Sequence, residues 1–147
     1  MEYTFSLWHF IDLILKLVLA VLCGGLVGLI KGGNEKSIGF STIIMTSFTA
    51  ALFILIFTKM NIILNANFNS FEISLASIII GFAIVGGAII IGQKASLQSI
   101  FDALTLWSVA GMGAAIGAGI FIIGIAAGVL MSVLLIIVHR IILAKTD

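Results

Sequence analysis

Asp12 and Lys16 have the most chemistry to offer in this sequence, because both stand inside an apolar run that begins near Leu7. Four positions apart, they share a helix face and can pair. Charges inside such a run are costly and point inward or toward water. The couple is therefore either a self-neutralising pair that snorkels toward an interface or a site sensitive to protons or to a partner. Asp102 precedes another apolar run, where its simplest role is to cap a helix N-terminus and accept orphan N–H groups. Trp8 and His9 at one end, and His139 and Arg140 at the other, have the character of interface anchors. Cys23 is the single cysteine. It sits among Leu, Val and Gly and reads as a small packing residue. The two histidines lie far apart in the chain, and no cluster has zinc-ligand spacing. No HExxH, CxxC, GxSxG or phosphate loop is present. No enzyme activity, metal or cofactor is expected.

The elements that must carry these residues are set by composition. Of 147 residues, 62% are hydrophobic and 9% are charged, against about 25% charged in an ordinary soluble domain. Mean hydropathy is +1.36. These values exclude a soluble globular enzyme and a disordered chain. A net charge of +1 with no basic stripe argues against a nucleic-acid partner. The bilayer is the expected partner instead. At about 20 residues per crossing, the chain has room for five or six helices. The expected fold class is all-α: a polytopic bundle of five transmembrane helices at about 7–30, 38–57, 73–92, 103–118 and 120–142. The apolar stretch 60–64 reads as a segment on the membrane surface. From Ala103 to Val138 there are 36 residues without a charge. As one helix they would rise about 54 Å, too far for a hydrocarbon core of about 30 Å. The stretch must fold back, with Gly117, Gly119 and Gly124 as the expected turn. The N-terminus lacks a basic n-region, so the first apolar segment reads as a retained helix rather than a signal peptide. A single membrane domain, 1–147, with no soluble C-terminal domain is the expectation.

Positive charge gives the expected orientation. Lys31, Lys36, Lys94, Arg140 and Lys145 fall on one side and Lys59 on the other. This puts the N-terminus outside and the C-terminus in the cytoplasm.

Small residues recur at four-residue spacing, which lets helix backbones approach closely in lipid. The expected packing residues are Gly24, Gly25 and Gly28 on the first span and Gly86 and Gly87 on the third. Gly113 and Gly117 serve on the fourth, beside Ala110, Ala114 and Ala118, and Gly124 and Gly128 form a stripe on the fifth. Gly32 extends the first stripe. Such stripes serve either an intrachain bundle or a homo-oligomer. The Gly86-Gly87 pair also permits a local break in its helix. Asp12, Lys16, Asp102 and Trp107 form the candidate polar or partner-binding set. Thr46, Ser47, Thr49, Ser77, Thr105 and Ser108 can bond carbonyls of their own helices or reach across to others.

Four segments, in order, resemble the MgtC/SapB family of bacterial inner-membrane proteins: CGGLVGL at 23–29, AALF at 50–53, the glycine-rich 81–90, and TLWSVAGMG at 105–113. The family normally carries a Glu-Arg pair where Ile30 and Lys31 stand, and an arginine where Ser41 stands. It has an Asp and an Arg near Ser70 and Ile73, and an arginine at Gln98. The resemblance implies a small, multi-pass protein of the bacterial plasma membrane that is not an enzyme. It implies a role in adaptation to low magnesium or acid stress through binding other membrane proteins, among them the ATP synthase. Loss of the signature charges suggests reliance on a related small membrane protein. The other open reading is an oligomeric transporter or channel for an ion or small solute.

Overall fold

A computed structural model describes residues 7–31, 38–64 and 70–143. Five α-helices follow in order: α1 Leu7–Lys31, α2 Phe40–Leu64, α3 Ser70–Gly92, α4 Leu97–Gly117 and α5 Phe121–Leu143. Each contains a stretch long and apolar enough to cross a membrane, and no strand occurs among the described residues. Gly32, Lys36, Lys145 and the His139 side chain lie outside the described residues and side chains.

The largest departures from the expected boundaries are at the end of α2 and the start of α4, and α3 begins at Ser70, three residues early. The 60–64 stretch continues α2 rather than lying on a surface as a separate segment. The fourth helix begins at Leu97, six residues before the expected start. Its cap is Ser96, whose Oγ accepts from the Ser99 N–H at 3.1 Å. Asp102 is therefore not an N-cap but an interior residue of α4. The physical reason is that the charge of Asp102 reads as the edge of an apolar span, whereas the helix continues back to Leu97 because Ser96 takes the cap.

The α4–α5 turn is short. The Gly119 N–H donates to the Ile116 carbonyl at 3.0 Å and the Ile120 N–H to the Ala115 carbonyl at 2.9 Å. With Gly119 at φ +84°, this is a Schellman stop, which favours glycine because the left-handed region penalises a Cβ. Gly117 closes α4, but Gly124 belongs to α5 and takes no part in the turn.

The bundle is centred on α4, which packs against all four other helices. α1 and α2 complete an inner trio with it. α3 rests on α2 and α4, α5 rests on α1 and α4, and α3 and α5 do not touch among the described residues. Burial follows this plan: 61% of the α4 membrane window is buried, against 11% for α3 and for α5. Neighbours in sequence run antiparallel. α2 and α4 run parallel, with Ser47 opposite Gly113 and Ala51 opposite Gly117. The core is small and apolar, with Ala20, Val27, Ile43, Ala51, Leu106 and Ile116 buried. The outer surface is apolar as well: Ile84, Ile91, Ile122 and Leu130 are largely exposed. A surface of that kind is stable against lipid, not against water.

Candidate functional site

The strongest polar constellation joins the C-terminal end of α1 to the second turn of α4. Lys31 Nζ lies 2.9 Å from Asp102 Oδ1. The Lys31 side chain is 7% exposed and that of Asp102 0%. Lys31 also donates to Thr105 Oγ1, and to the Phe101 carbonyl at 3.3 Å. An ammonium group has three N–H donors, and α4 supplies an acceptor for each. Gln98 Nε2 donates to Asp102 Oδ1 at 3.2 Å. Thr105 Oγ1 in turn donates to the Phe101 carbonyl at 2.7 Å. Gln98, Asp102 and Thr105 fall on one helical face through i+4 and i+3 spacing. The carboxylate also lies near the N-terminal, partially positive end of α4, which favours it. Removing one partner of such a buried pair costs about 3–5 kcal/mol, because the other charge is left uncompensated.

A first span ending at residue 30 and a capping role for Asp102 give no reason to pair Lys31 with Asp102, and the structure brings the two together. A signal was present. An aspartate with Gln four residues before it and Thr three after it marks a polar face that needs a cation.

At the opposite end of the bundle, Lys16 Nζ lies 2.7 Å from Asp12 Oδ2. The two side chains are 18% and 53% exposed. A Cβ built on Gly119 would stand 3.8 Å from Lys16 Nζ, so the ammonium group is beside the α4–α5 turn. A cation there complements the partially negative C-terminal end of α4. The structure thus separates the candidate polar residues: Asp12 and Lys16 sit at one end of α4, Asp102 at the other.

Trp107 belongs to neither cluster. Its Nε1 donates to the Phe82 carbonyl of α3 at 3.3 Å and lies 3.5 Å from where a Cβ of Gly86 would stand. Gly86 is four residues after Phe82, so its missing side chain leaves that carbonyl open to the indole. The same arrangement recurs between α1 and α2. Ser47 Oγ donates to the Ala20 carbonyl at 2.7 Å, and Gly24, four residues on, has no Cβ to collide with Ser47. Thr46, Ser77 and Ser108 instead bond carbonyls of their own helices.

The remaining glycines divide by what surrounds them. A Cβ on Gly113 would overlap the Ser47 backbone, and one on Gly117 would stand 2.7 Å from the Ala51 carbonyl oxygen. A Cβ on Gly28 would meet the Phe40 ring at 2.8 Å, and one on Gly124 would meet Ile116 at 2.5 Å. A Cβ on Gly128 would stand 3.0 Å from Met112 Sδ. These approaches are all within the chain. Gly25 faces only the tip of Ile44 at 3.9 Å, and Gly87 has nothing within 4 Å. Neither makes the close approach expected of a packing residue. Nor does the Gly86-Gly87 pair break its helix, since α3 is continuous through it. Beside α1 and α5 an apolar groove of about 260 Å³ is lined by Cys23, Leu26, Gly128 and Ser132 among others.

An all-helical bundle with a lipid-compatible exterior and ion pairs held within its own helices defines a polytopic membrane protein. The family profile described as MgtC family matches residues 17–142, and the chain belongs to that family. Searches of curated proteins and of solved structures find no match.

Proposed function

We propose that this chain is a non-enzymatic regulator in the bacterial inner membrane, acting by binding other membrane proteins during adaptation to magnesium limitation or acid stress. Family membership supports the physiological setting. The observation that carries the mode of action is the seal between α2 and α4. The Ser47 and Ala51 backbones lie against Gly113 and Gly117 so closely that a methyl group would not fit. The bundle axis is thus occupied by main chain, and the most buried charge pair among the described residues is neutralised within the chain. What the molecule offers outward is the faces of α3 and α5, each with only 11% of its membrane window buried. These faces suit helices of a partner, a related small membrane protein or a second copy. The proton-translocating ATP synthase is the partner class that the family resemblance implies.

The test is reconstitution. Purified protein in liposomes should give no saturable magnesium or proton flux above empty vesicles, and photo-crosslinkers on α3 and α5 should capture a defined membrane protein in cells. Saturable flux, with no crosslinked partner, would replace this reading with the oligomeric transporter. One feature keeps that second reading in play: Gly81, Gly87 and Gly92 of α3 have nothing within 4 Å, so copies could approach there closely.

A further inference from the structure

α4 is at once the most enclosed helix and the least apolar. Its mean hydropathy is 1.4, against 2.1 to 3.0 for the other four. It carries Asp102, and no Lys or Arg lies within residues 97–117. Lys94, in the turn before it, is exposed. Among the described residues, an ammonium group that pairs with Asp102 comes from α1, synthesised 71 positions earlier, and its other donors also go to α4. A carboxylate entering lipid without a cation is strongly disfavoured. A lysine at the last residue of a helix is not, because its stem can carry the charge to the interface. For entry into the membrane, as distinct from stability of the finished fold, the dependence therefore runs one way: Asp102 needs Lys31, whereas Lys31 can do without Asp102.

From this asymmetry we infer that α4 is a conditional span, whose entry into the membrane requires Lys31 of the already inserted α1. Lys31 acts as a positioning residue during assembly. The inference does not depend on the regulatory reading above.

The experiment uses the full chain in cells, with Cys23→Ala as background. A single cysteine replaces Ile120, in the exposed α4–α5 turn, or Ala95, exposed in the α3–α4 turn. A membrane-impermeant maleimide is applied from either face to pulse-labelled, newly made chains, so that rapid degradation of misinserted protein does not hide the result. With Lys31 present, the two cysteines should label from opposite faces. Lys31→Leu should lower the far-face to near-face labelling ratio at Ile120→Cys by at least about tenfold, less than the roughly hundredfold that a charge at the centre of a spanning helix commands because Asp102 lies in the second turn of α4. Asp102→Leu should leave the ratio unchanged, and Lys31→Leu combined with Asp102→Leu should restore it. A purely structural pair would make the two single variants equal. Equal losses, an unchanged ratio in Lys31→Leu, or no restoration in the double variant would each overturn the inference.

Discussion

Ser47 shows how much one small side chain can decide. It is fully buried between two helices: its hydroxyl donates to α1 and its carbonyl faces Gly113 of α4. The two contacts differ in kind. The hydroxyl bond is an addition to a carbonyl already held in its helix, and such interhelical bonds contribute about 0.6 kcal/mol, rarely beyond about 1.7. The Gly113 contact is steric, and forcing a methyl group into it should cost about 1–3 kcal/mol or more. Ser47→Ala should therefore be mild and Gly113→Ala severe in reversible unfolding in micelles, while Gly87→Ala, which meets open space, should be neutral or stabilising by up to about 1 kcal/mol. A Gly113→Ala protein as stable as Ser47→Ala would contradict the packing described. At this scale the sequence was half legible. Four-residue glycine spacing pointed to the right helices, yet spacing alone could not tell Gly24 from Gly25 or Gly86 from Gly87. Which glycine faces a neighbour depends on the rotation of the helix, and for Gly86 and Gly87 the nearly uniform apolarity around α3 hides that rotation.

The helices were legible in number and order because the lipid core demands apolar stretches of a set length. Their ends were less so. The expected start of the fourth span was displaced by Asp102, since a charge in a membrane helix reads as its boundary until its partner is known. The turns carry their own chemistry. Gly119 occupies the left-handed region as its Schellman role requires, whereas Lys94 and Ala95, at φ 57° and 50°, adopt it with side chains. A non-glycine residue there costs about 1–2 kcal/mol. Gly119→Ala should consequently destabilise by about 1 kcal/mol. Ala95→Gly should raise stability by up to about 1 kcal/mol, after allowing for the added freedom of the unfolded chain. Thermal unfolding in micelles reads both, and opposite signs for the two substitutions are the expected outcome.

For the whole molecule, orientation rests on where cations lie during insertion. Lys31 is neutralised in the finished fold, but Lys36, Lys94, Arg140 and Lys145 still stand against Lys59. A reporter fused after Asp147 should accordingly be active only in its cytoplasmic form. Activity restricted to the outside would reverse the assignment. The bundle plan itself could not be read from the chain. Nothing in the order of the helices announces that the fourth is central, because the residues that make it so are small or polar and lower its apparent fitness for lipid.

That centrality has an evolutionary corollary. A helix touching every other helix, with 61% of its membrane window buried, has few positions that can change alone, whereas two flanking helices without mutual contact among the described residues can vary independently. Lineages descended from a common ancestor would then diverge fastest along α3 and α5. New binding specificities could arise there without disturbing the frame that holds the molecule together.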